Sequence, residues 1–145
     1  MPVLRELDRA ECERLLRRGT FGRVVVCAAG RPEIVPVNYA VDGDAVVIRT
    51  TSHGLLARSG HGRPLAFEID LVDHERWHGW SVVARGTGEV VDEPGEGVPG
   101  RLPPRPWAEG DRRTELRLRW TELSGRKVGS GWDTEAAMYA RQVTP

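Results

Sequence analysis

The alternation of apolar and polar side chains within short runs constrains the fold of this chain more than any other feature of its sequence. In residues 64–72, PLAFEIDLV, large apolar residues stand at every second position, with Glu68 and Asp70 between them. A period of two is typical of a strand with one buried face. Residues 115–123, ELRLRWTEL, repeat the pattern. The chain is therefore predicted to be built mainly from β-strands.

Further β-rich runs occupy residues 21–28, 34–41, 45–50 and 80–91. Asp42-Gly43 is a strong hairpin signal, and Pro36 favours an edge strand or a bulge. Gly86 and Gly88 predict a bend within the last run. We expect six antiparallel strands that close into a small barrel, because closure removes the exposed edges.

Local signals also place two helices and the limits of the domain. Asp8, followed three residues later by Glu11, predicts a capped helix start, and Gly19 is well placed to end that helix. A short helix is predicted from Leu55 to Ser59. At 145 residues, the chain is predicted to form one domain, 1–145. Within it, residues 92–110 would form an ordered excursion, and residues 129–145 a tail with few core signals.

Composition excludes several classes of function. Acidic and basic residues balance at 21 each, so the net charge favours neither nucleic acid nor an anionic membrane. Cys12 and Cys27 are predicted to be buried thiols rather than a disulfide framework. The sequence shows no apolar segment of signal or membrane-spanning length, which predicts a cytoplasmic protein.

Two clusters of polar residues have structural explanations that we prefer. His74 and His78 are four residues apart beside Asp73, but the sequence after them is typical of a strand, so we interpret them as solvated loop histidines rather than metal ligands. Arg113, Arg117 and Arg119 fall on one face of the last strand, where a solvated or dimer-facing stripe is expected rather than a nucleic-acid surface.

The end of the third β-rich run is the best candidate for an anion site. Arg49, Thr50, Thr51 and Ser52 follow an apolar segment and offer a guanidinium fork, three hydroxyls and adjacent amides. Phosphate recognition needs such donors in combination. The preceding segment 36–39, PVNY, offers polar groups among apolar ones, as an aromatic cofactor ring requires.

Together, these segments resemble the pyridoxamine 5'-phosphate oxidase-like family of flavin-binding split barrels. The resemblance covers residues 4–128 and depends on the order and spacing of FGR at 21–23, PVNY at 36–39, FEID at 67–70 and GWSV at 79–82. It implies a mainly β protein: a six-stranded antiparallel split barrel of the FMN-binding type with short flanking helices. It also implies a homodimer with two cofactor sites at the subunit interface, and FMN or, in some branches, a deazaflavin as the cofactor.

The resemblance also implies which residues bind the cofactor. The candidates are Val37, Asn38, Arg49, Thr50, Thr51, Ser52, Leu55, Arg58, Trp80, Ser81 and Val82. Val37 and Asn38 would lie beside the isoalloxazine ring, residues 49–51 would meet the ring edge and the ribityl phosphate, and residues 80–82 would close the pocket. Trp107 and the strand that carries Arg117 and Arg119 would reach the partner's site.

One departure from the family pattern leaves the function open. Leu55 stands where close members have a lysine that pairs with phosphate, and Arg58, Arg63 or His53 are the candidate replacements. The leading hypothesis is an FMN-dependent oxidoreductase of unknown small-molecule substrate, with no catalytic residue assigned. The alternatives are a deazaflavin-dependent reductase, or a non-catalytic dimeric flavin- or ligand-binding protein that has lost its cofactor.

Overall fold

A computed structural model of the chain describes residues 4–92 and 113–129, and these ranges contain two helices and eight strands. In chain order the elements are β1 (Leu4–Glu6), α1 (Arg9–Arg18), β2 (Phe21–Ala28), β3 (Arg31–Asn38), β4 (Ala40–Asp42), β5 (Ala45–Thr50), α2 (Leu55–Gly60), β6 (Pro64–Asp73), β7 (His78–Val91) and β8 (Thr114–Val128).

The eight strands form one antiparallel sheet that curls into a half-barrel. Their order is β3-β2-β6-β7-β8-β5-β4, with β1 paired to β8. The predicted fold class, a mainly β antiparallel split barrel with few helices, is confirmed. The described strands number eight rather than six because Tyr39 divides the predicted run 34–41 into β3 and β4, and because β1 was not predicted. β3 begins the order, so Pro36 lies in an edge strand as expected.

The concave face of the sheet encloses the hydrophobic core, which α1 covers. Fully buried residues on the sheet include Val24, Phe67, Val82 and Leu116. The predicted capping box at the start of α1 is confirmed: the Glu11 amide donates to Asp8 at 2.8 Å, and the Asp8 amide donates to the Glu11 carboxylate at 3.0 Å. We call the concave side of the sheet its inner face and the convex side its outer face.

The bend predicted in the long strand 80–91 is also confirmed. The register between β7 and β8 shifts between Arg85 and Gly86. A Cβ at Gly86 would collide with the carbonyl oxygen of Arg119, and one at Gly88 would collide with that of Gly60. Glycine is therefore required here because the backbones approach too closely for any side chain.

The buried environment predicted for Cys27 is wrong. Cys12 is fully buried, and burial raises the pKa of its thiol, but Cys27 is exposed on the outer face of β2. Val24 and Val26 take the inner face of that strand. The run VVVCA has no polar residue at alternate positions. The sequence therefore does not indicate which of its side chains face the core and which, like Cys27, face outward.

Several predictions fall on residues outside the described ranges. Residues 93–112, which include Trp107 and nearly all of the predicted excursion, are among them, as is the predicted tail beyond Gly129. Neither described helix combines the length and the apolar character needed to cross a membrane.

Candidate functional site

Arg49 carries an unsatisfied buried donor near the end of β5. Its half-buried side chain lies on the outer face, opposite Glu115 of β8, which is 3% exposed. Within the part of the chain that the structure describes, Nε of Arg49 is buried and has no hydrogen-bond partner. The Glu115 carboxylate is 3.7 Å from the Arg117 guanidinium. An unmade buried hydrogen bond costs about 1–3 kcal/mol, so Arg49 is placed to receive a further acceptor, such as a phosphate oxygen.

Three hydroxyls accompany Arg49 at this strand end. Thr50 is buried, Thr51 is half-buried and Ser52 is exposed. The Gly54 amide donates to the Thr51 carbonyl at 3.2 Å, which closes the turn. A Cβ at Gly54 would lie 2.8 Å from Oγ1 of Thr51 and 3.4 Å from Oγ1 of Thr50. Glycine is therefore favoured at position 54, because the turn passes too close to the Thr51 hydroxyl for a side chain.

Leu55, which stands in the place of the family's lysine, begins α2 and packs against the hydrophobic core. The candidate replacements, Arg58, Arg63 and His53, are all exposed around α2. Their long or titratable side chains are not fixed by burial. Arg49 differs from these three residues because it is half-buried, so packing holds its side chain in place at the strand end.

Val37 and Asn38 point to opposite sides of β3. Val37 packs against the core, whereas Asn38 stands opposite Phe21 on the outer face and donates to the Thr20 carbonyl at 3.4 Å. β3 ends at Asn38, one residue before β4, and β3 also contacts β5. The chain therefore leads from Asn38 directly into the strand pair that carries Arg49.

Residues Trp80, Ser81 and Val82 also alternate across the sheet. Trp80 and Val82 are 6% and 0% exposed and belong to the core. Ser81 is half-buried on the outer face, with Asp70 of β6 and Arg126 of β8 as its partners in register. Of these three residues, only Ser81 presents its side chain fully to the outer face.

Val37, Leu55, Trp80 and Val82 pack in or against the core, and the predicted site residues that remain form two groups. The first is the end of β5 together with Asn38, and the second is centred on Ser81. The strand register connects the two groups. Asn38 of β3 lies opposite Phe21 of β2, and if the β2–β6 pairing is continued, Phe21 lies beside Asp70 of β6. Asp70 in turn lies opposite Ser81 of β7. Three strand spacings, about 14 Å of convex surface, separate Asn38 from Ser81.

Next to Ser81, a cleft of about 670 Å³ opens at the turn between β6 and β7. Its apolar walls are the side chains of Leu4, Val72, Trp77 and Val128. Leu4, Val72 and Trp77 are 58%, 55% and 83% exposed, which is unusual for side chains of this size. This cleft was not predicted from the sequence. Two adjacent apolar residues, Leu71 and Val72, break the alternation of β6 and indicate an apolar outer position.

Two carboxylates beside the cleft share one arginine. Arg23 of β2 contacts Glu68 at 3.2 Å and Asp70 at 3.5 Å. Burial raises the pKa of the Glu68 carboxyl, and the nearby Asp70 raises it further. Asp70 lines the cleft with its charge facing Arg23.

The turn residues of the cleft are held by Asp73. Its carboxylate accepts hydrogen bonds from the backbone amides of Glu75 and Arg76, both at 3.1 Å. The pKa of Asp73 is lowered, mainly by the hydrogen bond from the Arg76 amide. His78 is buried, with Nε2 3.9 Å from Asp73, whereas His74 is exposed. The prediction of a solvated loop histidine therefore agrees with His74 and is wrong for His78, which is buried at the start of β7. Residues 4–92 and 113–129 contain no group of three His, Cys, Asp or Glu residues suited to a metal ion.

The arginine stripe on β8 is engaged in ion pairs. Arg117 donates to Asp42 at 2.7 Å, and Arg119 donates to Asp44. These partners lie on the β4–β5 hairpin and neutralise much of the positive charge. Arg113, the third arginine of the predicted stripe, precedes β8.

Comparison with known proteins identifies relatives over most of the chain. The family model for pyridoxamine 5'-phosphate oxidase matches residues 8–127. An uncharacterized protein of Mycobacterium tuberculosis, Rv0080, is 39% identical over 94 residues, which are 61% of this chain and 62% of that protein. The alignment thus spans less than two thirds of this relative.

Solved structures share the fold. An FAD-binding protein from Mycobacterium smegmatis is 26% identical, with a TM-score of 0.66 over 86% of this chain and 98% of that one. A candidate pyridoxamine 5'-phosphate oxidase from Corynebacterium glutamicum is 28% identical, with a TM-score of 0.67 over 88% of this chain and 95% of that one.

Proposed function

The chain belongs to the pyridoxamine 5'-phosphate oxidase family, and from this membership and the geometry of its outer face we propose that it is an FMN-dependent oxidoreductase acting on a small molecule. A bound flavin supplies the hydride chemistry itself, so the protein's task is to hold the ring, orient it and leave one side open to the substrate.

The observation that carries the proposal is the buried Nε of Arg49 at the end of β5, which has no hydrogen-bond partner within the described residues. A buried guanidinium donor without an acceptor, followed in the sequence by two threonines, fits the phosphate of FMN. Ser52 adds a hydroxyl, and exposed Arg58 adds positive charge that favours an anion. Leu55 contributes packing rather than charge.

Asn38 is proposed to hydrogen bond to the rim of the isoalloxazine ring, with the β3 backbone at Val37 beside it. Because Asn38 borders the strand pair that carries Arg49, one subunit can hold both the ring and the phosphate. The side chains of Trp80 and Val82 are directed inward, so they would support the strand that presents Ser81.

We further propose that the protein is a homodimer in which Ser81 serves the partner's flavin. A rigid planar ring held at Asn38 does not follow about 14 Å of convex surface to Ser81 of the same subunit. A second copy facing the outer surface would bring its own Ser81 against the exposed side of the ring. It would also exclude water from the ring, which a reactive flavin requires.

Titration of flavin-free protein with FMN, followed by quenching of flavin fluorescence, tests the phosphate site. Arg49→Ala should weaken binding about 10- to 100-fold, because it removes charge-assisted hydrogen bonds. Arg31→Ala is the matched control, since Arg31 is an exposed arginine at the far end of β3. Equal affinity of Arg49→Ala and wild type would remove this strand end from the site.

Mixed dimers test the assignment of Ser81 to the partner. Ser81→Phe and Arg49→Ala homodimers should both bind FMN poorly. A dimer with one subunit of each kind should regain one normal site, because one interface then contains both wild-type side chains. No recovery would show that the two residues act within one subunit, and normal FMN binding by Ser81→Phe would exclude Ser81 from the site.

The same titration distinguishes the cofactors. FAD is a second candidate because the Mycobacterium smegmatis neighbour is an FAD-binding protein. A deazaflavin is a third, favoured by Leu55 in place of lysine. Tightest binding by FAD or by a deazaflavin would replace FMN in the proposal, and a failure of all three to bind would favour a non-catalytic protein. We propose a cytoplasmic location, which fits the two free thiols.

A further inference from the structure

We propose that the cleft beside Ser81 binds a planar aromatic acid, with the ring against Trp77 and the acid group on Arg126, and that this ligand is the substrate of the flavin. The assignment as substrate rests on the proposed function, whereas the binding of an aromatic acid does not.

Exposed apolar surface is concentrated at this cleft. Five large apolar side chains are exposed in residues 4–92 and 113–129, and Leu4, Val72 and Trp77 line the cleft. A monomer rarely exposes such a group of side chains without a ligand or a partner. The volume of about 670 Å³ suits a small molecule, and pockets of this kind are mainly apolar with a few polar groups that fix orientation.

Trp77 is held in a conformation that its own side chain disfavours. Its φ of +57° is in the left-handed region, where bulky residues are rare, and its indole is 83% exposed. The Asp73 carboxylate fixes the turn through the amides of Glu75 and Arg76. This left-handed residue closes the hairpin turn and holds the indole exposed at the cleft, where a flat ligand can stack on it.

The charges around the cleft favour an acid over a base. On the β6 side, Asp70 faces Arg23, and Asp73 is engaged by two amides and Arg76. On the β8 side, two strand spacings or about 10 Å away, Arg126 is exposed. Its register partner on β1 is Glu6, but Arg126 forms no ion pair within the described residues. The Ser81 hydroxyl, which the proposed homodimer directs to the partner's flavin, lies between them. A carboxylate on the ligand would therefore be bound at Arg126, and an aromatic ring of ordinary size would then extend toward Trp77.

Calorimetric titration with 2-naphthoate tests the inference on wild-type protein, with and without saturating FMN. Trp77→Gly and Arg126→Ala should each weaken binding about tenfold or more. Trp77→Phe should largely retain binding, and so should Arg31→Ala. Trp77→Gly should melt at the same temperature as wild type or higher, because glycine tolerates this φ; a purely structural role for Trp77 predicts a lower melting temperature.

Other outcomes would overturn the site, one part of it, or the proposed function on which its role as a substrate site rests. No binding to wild type, as expected if a partner subunit covers the cleft, would overturn it, and so would equal binding by Trp77→Gly or Arg126→Ala. Equal affinity for the neutral 2-naphthalenemethanol would overturn the role of Arg126. Displacement of FMN by 2-naphthoate would assign the cleft to the flavin instead of a substrate. If FMN fails to bind while 2-naphthoate shows the expected pattern, the proposed function fails and the aromatic-acid site stands.

Discussion

Tyr39 connects α1 to the barrel, and removing its hydroxyl should have a measurable effect on stability. The side chain is 3% exposed, and its hydroxyl donates to the Leu16 carbonyl at 2.6 Å. Leu16 lies in the last turn of α1, where carbonyls lack partners within the helix. The ring packs edge-on against Phe67 at 4.7 Å between centroids. Tyr39→Phe keeps the ring contact and leaves one buried carbonyl unsatisfied.

The expected cost of Tyr39→Phe is about 1–2 kcal/mol in the free energy of unfolding. For a domain of this size, that lowers the melting temperature by about 3–6 °C. Circular dichroism melts and urea unfolding measure both quantities. An unchanged melting temperature would refute the role given to this hydrogen bond.

Gly19 provides a matched test of the same contact. A Cβ there would collide with the Tyr39 hydroxyl, whereas the next atom, Cζ of Tyr39, would be 3.1 Å away. Gly19→Ala should therefore destabilise the wild type more than it destabilises Tyr39→Phe. We expect a coupling energy of about 1 kcal/mol in the double-mutant cycle. Additive effects would show that the hydroxyl is not fixed where the structure places it.

Two further predictions concern the outer face and the bend in β7. Because the folded-state pKa of Glu68 is raised above its ordinary value of 4.5, its contribution to stability is present below that value and is lost as pH rises through the raised pKa. Glu68→Gln, which stays neutral beside Asp70, should therefore gain stability relative to wild type between pH 4 and pH 8; an equal difference at both pH values would contradict this. Gly86→Ala should destabilise by about 3 kcal/mol or more, because the added Cβ meets the Arg119 backbone, whereas Gly43→Ala should cost only about 1 kcal/mol, since Gly43 has positive φ and open space around it. Similar urea midpoints for the two glycine variants would refute this assignment.

Much of the fold could be predicted because its signals are local. The alternation in residues 64–72 appears as β6, the capping box of Asp8 and Glu11 starts α1, and Gly86 marks the shift in register. Each depends on residues only a few positions apart. The division of the run 34–41 at Tyr39 could not be predicted, because the contacts of Tyr39 there involve a helix more than twenty residues earlier.

The candidate site was predictable in its residue types and not in its arrangement. The cluster after β5 was found from guanidinium and hydroxyl groups at a strand end, and the structure adds the unsatisfied Nε of Arg49. The sequence grouped Trp80, Ser81 and Val82 together, but only Ser81 presents its side chain fully to the outer face. The cleft at Trp77 and Arg126 joins strands that are nearly fifty residues apart, so no local pattern indicated it.

The amino-acid sequence by itself determined that this chain forms strands, where most of them begin and end, and which residues are chemically able to hold an anion. Tertiary structure alone decided which strands are neighbours, which side of β2 buries its apolar residues, and which donors remain without acceptors. The physical reason is that a period of two defines two faces for each strand but not which face is buried. That choice is made when distant strands pair and the curled sheet encloses its core.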